Sequence, residues 1–214
     1  MAMDTDREFQ GELIGGYEAP DITASNLNRQ NWTHDDLKNL FTRGYSRKGT
    51  VFGGMYTVVY HSFRNLNDDD LRAVSTYLLD TDGETHEQAL TNNGRNNSLP
   101  GDSLYRGYCA GCHGMEGQGR PNVAPAMAGN ATMDNASAYN IVAVILHGVK
   151  TQYYDETTSF YEMPGFRKEL DDQQLTDLVN YLRTTWTNQS GDLSVAEIAE
   201  LRQTAEESLA AATH

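Results

Sequence analysis

This 214-residue chain has only two cysteines, and they fall three positions apart, directly before a histidine, in Tyr105-Arg-Gly-Tyr-Cys109-Ala-Gly-Cys112-His113-Gly114. On one helical turn, thiols at that spacing share a face, where each can add to a vinyl group of a single porphyrin. The histidine that follows then sits beneath the iron as an axial donor. C-x-x-C-H is the spacing of c-type haem attachment, and it restricts the fold more than any other feature of the sequence. A thioredoxin-like redox pair lacks its strand-to-helix context here. A structural zinc wants four Cys or His ligands, and no second cluster exists. A disulfide across two residues would be strained.

A second axial donor is the next requirement, and methionine opposite histidine is the electron-transfer choice. Met163 lies 50 residues after His113, in Tyr161-Glu162-Met163-Pro164-Gly165-Phe166. The proline restrains the backbone after the methionine and Pro-Gly turns it tightly, so a thioether can be held over a ring. Met115 is too close to the attachment helix to reach the opposite face. Met127 and Met133 are expected to pack the pocket.

These residues carry a resemblance. Residues 98–187 are similar to a class I c-type cytochrome domain: Gly101 and Tyr105 precede Cys109 by eight and four positions, and Tyr181 matches the aromatic of a last helix that crosses the first. The resemblance implies that the Pro125 carbonyl, in Ala124-Pro125-Ala126-Met127, accepts the Nδ1 proton of His113, which would set the ring tautomer and its basicity. More narrowly, GCHGMEGQGR, APAMAGN, ILHGV and YEMPGF resemble the last haem domain of the multihaem cytochrome subunit of membrane-bound bacterial dehydrogenases. Those enzymes oxidise alcohols, gluconate or related sugars in the periplasm. The cofactor expected is one covalent haem c, with His113 and Met163 on its iron. Cys109, Cys112, Arg120, Pro125, Met127, Tyr153 and Phe166 are candidates to contact it. Arg120 is either a propionate partner, which guanidinium geometry suits, or an exposed loop charge. Tyr153, Tyr154, Phe160 and Tyr161 are shields for the haem or plain loop anchors. His147 is a propionate neighbour or a partner of a helix dipole.

Composition narrows the partners. The formal net charge is −14 and the mean hydropathy −0.61. A basic face for phosphate is missing, so nucleic acid is not expected. A basic redox partner steered by charge fits, as does acidity that only maintains solubility. No apolar run approaches the roughly 20 residues of a membrane span, so association with a membrane is expected only through partners. The opening MAMDTDREF has no basic-then-apolar leader. Because covalent haem attachment resembles a periplasmic process, the expectation is that a leader was removed or that the chain is a fragment.

The chain also matches itself at an offset of 104: Asn31 with Asn135, Thr33 with Ser137, Leu37 with Ile141, Gly44 with Gly148, Leu66 with Leu170, Leu71 with Leu175, Tyr77 with Tyr181. Thr33, with Asp36 three later, caps a helix that carries Leu37, Leu40 and Phe41 to Gly44. Asn67 or Asp68 caps another, with Leu71, Val74, Tyr77 and Leu78 inward. GGYEAPDIT, NWTHDDL, VFGGMYTVVYHS and DDDLRAVSTYLL carry the same dehydrogenase-subunit resemblance. Residues 1–80 therefore read as the later half of a second cytochrome-like domain. Its C-x-x-C-H would fall near residues 4–9, which are Asp-Thr-Asp-Arg-Glu-Phe. Either the attachment helix lies upstream, which is preferred, or this repeat has lost its haem. Met55, in the place of a ligand loop, is expected to pack in the core. An uncovered apolar surface would make residues 1–80 less stable than 98–187.

The expected architecture is thus all-α: a cytochrome-c-like half domain (1–80), a polar Asn-rich linker (81–97), a haem domain (98–190) and a helical tail (191–214). His86 in the linker reads as solvated, and His34 and His61 have no partner motif. Asp102 or Ser103 starts the attachment helix. Gly114, Gly117 and Gly119 let the backbone approach the haem edge. Ile141, Val142, Ile145 and Leu146 form the apolar face of a middle helix. In the tail, Ser194 with Glu197 caps a helix whose stripe is Val195, Ile198, Leu201, Ala205 and Leu209. It docks on its own domain or on a dehydrogenase subunit, or is a frayed end.

The function expected is electron transfer and not catalysis: a dehydrogenase subunit as donor, a quinone or another cytochrome as acceptor, in the bacterial periplasm. Two alternatives stay open, a haem enzyme or sensor with a labile sixth ligand and a docking module whose haem is structural.

Overall fold

The computed structural model describes residues 8–81, 88–154 and 157–212. It is mainly helical. Among the described residues, strand is confined to segments of two residues, so the all-α expectation holds. His86 lies outside the described residues. The chain divides into two compact units, residues 1–14 with 18–89, and residues 15–17 with 90–214.

The first unit contains α1 (Ala24–Arg29), α2 (His34–Arg43), α3 (Gly54–His61) and α4 (Asp68–Leu79). Thr33 and Asp36 form the expected capping box on α2, and Gly44 ends that helix in the left-handed region at φ 81°. Asn67 caps α4 by accepting from the Asp70 amide at 2.8 Å. His34 Nδ1 lies 2.7 Å from Ser75 Oγ. Its partner is thus a hydroxyl on α4.

Two expectations fail here. Met55 lies on α3, not in a loop, and it is 39% exposed instead of packed in a core. On α4 the inward positions are Leu71, Ser75 and Leu79, while Tyr77 is 67% exposed. Ala73 and Tyr77 line an open groove of about 790 Å³ together with Phe9, Ile22 and Ala24. The physical reason is local openness: helical spacing places Tyr77 on an apolar face, but among the described residues that face lines an open groove, where the Phe9 ring meets Tyr77 edge-on at 5.9 Å.

The second unit holds α5 (Gly101–Leu104), a π-helical turn (Tyr105–Cys109), α6 (Ala110–His113), α7 (Ala131–Asp134), α8 (Tyr139–His147), α9 (Asp172–Trp186) and α10 (Val195–Ala212). The attachment helix starts at Gly101 after Pro100 and not at a side-chain cap on Asp102 or Ser103. It crosses α9 with almost no space: a β-carbon on Gly101 would lie 2.2 Å from the Asp177 carbonyl oxygen and 2.4 Å from Tyr181 Cβ. Tyr181 is accordingly 1% exposed. Tyr105, Tyr181 and Trp186 pack against one another at the crossing, with centroids 4.7–5.8 Å apart.

Residues 90–97, read above as part of a linker, are bound into this unit. Asn93 donates to the carbonyls of Thr184 and Thr187 near the end of α9, and its amide to that of Thr185. Arg95 Nε lies 2.9 Å from Asp102 Oδ1. The tail helix α10 is not frayed. Ile198 and Ala205 are fully buried against α8 and α9, whereas Val195, expected in the stripe, is exposed.

Candidate haem centre

Cys109 and Cys112 are free thiols, the first buried and the second exposed. Burial, and then the neighbouring Cys112, push the Cys109 thiol up to about 12. His113 ends the same turn. Its Nδ1 lies 2.9 Å from the Pro125 carbonyl oxygen. A carbonyl only accepts, so Nδ1 carries the proton and the Nε2 lone pair is free to bind a metal. Burial also lowers the basicity of the ring, against a smaller opposing effect of the Pro125 bond. Burial favours the neutral imidazole, and the Pro125 bond fixes its orientation.

The loop after His113 is held by its own backbone. The Gly119 amide donates to the His113 carbonyl, and the Met127 and Ala128 amides both donate to that of Gly117. Gly117 and Gly119 have φ of 67° and 71°. They are required by protein neighbours: a β-carbon would lie 2.6 Å from Trp186 Cε2 at Gly117 and 2.6 Å from the Ala126 nitrogen at Gly119. These protein contacts add a second reason for glycine beside the expected approach to a haem edge. Tyr105 Oη donates to the Gly114 carbonyl at 2.6 Å, tying the attachment helix to this loop.

The Met163 segment is held by α8 and by Val149 just beyond it. The Met163 amide and carbonyl pair with those of Val149 at 2.8 and 3.0 Å, and the Phe166 amide donates to the Ile145 carbonyl. Gly148 and Gly165 are the contact points. β-carbons there would lie 2.2 Å from the Met163 oxygen and 2.6 Å from the Leu146 oxygen. The Met163 and Phe166 side chains are partly buried against the core, and the Phe166 ring meets Tyr108 edge-on at 5.3 Å.

The other candidates separate. Met127 is partly buried beside the core, Met133 is in it, and Met115 is exposed. Arg120 is exposed at its side chain, while its backbone pairs with Ala124. Of the four aromatics before Met163, Tyr154 is buried and packs on Phe160, whereas Tyr153 and Tyr161 are about two-thirds exposed. His147 is half-buried; burial, and then the charge of Arg167, lower its basicity. The sequence reading missed the Gly148 and Gly165 contacts, whose only signal was the glycines themselves. It also missed Arg95, bonded to a buried Asp102 that accepts from Tyr181 as well.

Among the described residues, no group of three or more His, Cys, Asp or Glu side chains is placed to hold a metal ion. Paired thiols on one turn, an imidazole with Nε2 free and a restrained thioether fit a tethered haem.

Residues 98–186 match the cytochrome c family model. The chain is 34% identical over 184 residues to the cytochrome c subunit of a quinone-dependent alcohol dehydrogenase of Gluconacetobacter polyoxogenes, covering 81% of this chain and 39% of that protein. It is 32% identical over 208 residues to the corresponding subunit of Gluconobacter oxydans, covering 91% and 43%. It is 29% identical over 213 residues to the gluconate 2-dehydrogenase cytochrome c subunit of Pantoea cypripedii, covering 90% and 48%. The chain thus spans less than half the length of these curated relatives.

Proposed function

We propose that this chain, whose residues 98–186 match the cytochrome c family model, carries one covalent haem with His113 and Met163 as its axial donors and passes electrons from a dehydrogenase subunit to a quinone or a second cytochrome. The observation that carries the reading is the His113 Nδ1–Pro125 bond at 2.9 Å. It leaves the lone pair of the second ring nitrogen available to a metal.

Cys109 and Cys112 would hold the two thioether tethers, and with only two cysteines in the chain one tethered cofactor is expected. Bound haem supplies a one-electron couple, which a thioether donor shifts toward the reduced form. With Pro125 orienting the imidazole and Val149 restraining the Met163 backbone, both donors would stay in place on a bound haem. Little rearrangement then accompanies electron transfer. Met127 and Phe166 would shape the apolar wall; Tyr153 and Arg120, both exposed, would lie at its rim.

The partners are proposed from the relatives, whose names place them as cytochrome subunits of dehydrogenases. A periplasmic site follows from covalent haem attachment. Membrane association through a partner subunit is proposed from the same relatives; among the described residues, no helix is long and apolar enough to cross a membrane. Residues 1–80 are proposed as part of a second cytochrome-like domain, a reading supported by the 104-residue offset.

The test is the intact mass and spectrum of the purified chain. One haem per polypeptide, with a near-infrared ferric band lost in Met163→Ala, is expected. Colourless protein, or a band that survives the substitution, defeats the reading.

A further inference from the structure

The helix α10 begins beyond the part of the chain that matches the cytochrome c family. It nevertheless grips the segment that follows Met163. Arg202 reaches from its middle, with Nη2 2.8 Å from the Leu170 carbonyl and Nε 2.5 Å from Asp172 Oδ1. One turn on, Glu206 pairs with Arg167 at 3.2 Å. Ile198 and Ala205, both fully buried, seat the helix that presents these groups.

The gripped segment is continuous with the ligand loop. The Leu170 amide donates to the Phe166 carbonyl, the Phe166 amide to Ile145, and Met163 pairs with Val149. For Met163 to leave, residues 163–166 must part from α8, turning about the stretch up to Leu170. Leu170 is 2% exposed, and its carbonyl lies just before the cap of α9, where no helical amide can reach it. The Arg202 guanidinium occupies that carbonyl and the first carboxylate of α9 together. A charged donor on two acceptors at one hinge resists rotation there.

We propose that α10, acting through Arg202, is a brace that keeps the Met163 loop closed and so sets how readily the sixth coordination position accepts another ligand. This rests on Met163 being the sixth ligand. Arg202 is a positioning residue, acting on Met163 through Leu170 and Phe166. Local opening of a loop is governed by the few bonds that close it. Losing this pair should raise the open population roughly tenfold, the factor that 1.4 kcal/mol represents.

The experiment uses the full haem-loaded chain with Arg202→Met, which keeps the aliphatic stem and removes the donors, and separately Ile198→Ala, which loosens the helix seat. Cyanide binding to the ferric form should quicken roughly tenfold in Arg202→Met. Hydrogen exchange of the Met163 and Phe166 amides should rise, with that of Val179 in α9 unchanged as a check on folding. Wild-type cyanide rates and amide exchange in both variants, alongside fast binding in Met163→Ala, would overturn the brace and leave the ligand assignment standing. If Met163→Ala itself binds cyanide no faster than wild type, the ligand assignment falls, and the brace with it.

Discussion

Gly148 abuts Met163 so closely that a β-carbon on the glycine would lie 2.2 Å from the methionine carbonyl oxygen, and the glycine itself has φ 72°. Both facts exclude a side chain. Gly148→Ala should therefore cost about 1–3 kcal/mol and also move the Val149–Met163 pairing. The expected result is a lower melting temperature together with a weakened near-infrared ferric band. A variant that loses stability and keeps its band at full strength would separate the glycine from the ligand geometry.

The crossing of α5 and α9 makes a second prediction. Gly101→Ala would put a β-carbon 2.2 Å from the Asp177 oxygen. Backbone cannot yield as a side-chain tip does, so the helices must separate. Overpacking of this kind costs about 1–3 kcal/mol. Chemical denaturation of the haem-loaded chain should show it, with the Soret maximum little changed because the change lies two turns from the tethers.

Asp102 gives a pH dependence. It is 1% exposed. Burial works to raise its pKa, but hydrogen bonds from Arg95 and Tyr181 and the charges of Arg95 and Arg106 outweigh burial and hold the carboxyl below its usual range. A carboxylate more acidic when folded stabilises the fold above its unfolded pKa, and that stability is lost as pH falls through the folded value. Asp102→Asn should melt below wild type at neutral pH, and the difference should shrink as the solution is acidified below the ordinary carboxylate range. A gap independent of pH would mean that shape, not charge, is what Asp102 provides.

Tyr77 and Tyr181 stand at equivalent places in the internal repeat, 67% and 1% exposed. The Tyr181 face is closed by α5, while the Tyr77 face lines an open groove. Amides of α4 should therefore exchange faster than those of α9. Equal protection in the two helices would show that Leu71 and Leu79 suffice without a crossing helix.

Parts of this chain are legible in the sequence because they depend on neighbours along it. The attachment motif is five residues long. The capping box at Thr33 and Asp36 spans four, and the turn after Met163 is set by Pro164 and Gly165. Helical spacing was a weaker guide: it placed Tyr77 and Val195 in cores that the tertiary structure does not provide.

By itself the sequence determined which atoms are offered for tethering and ligating the proposed haem, and roughly where helices start and stop, because bond geometry and local hydrogen bonding act over a few residues. The tertiary structure decided what holds those atoms in place. Gly148 against Met163, Arg95 on Asp102 and Arg202 on Leu170 join positions 7 to 32 residues apart. Such pairings arise only when separate elements pack, since a contact across an intervening loop is chosen by the fit of whole surfaces and leaves no periodic trace in the residues that make it.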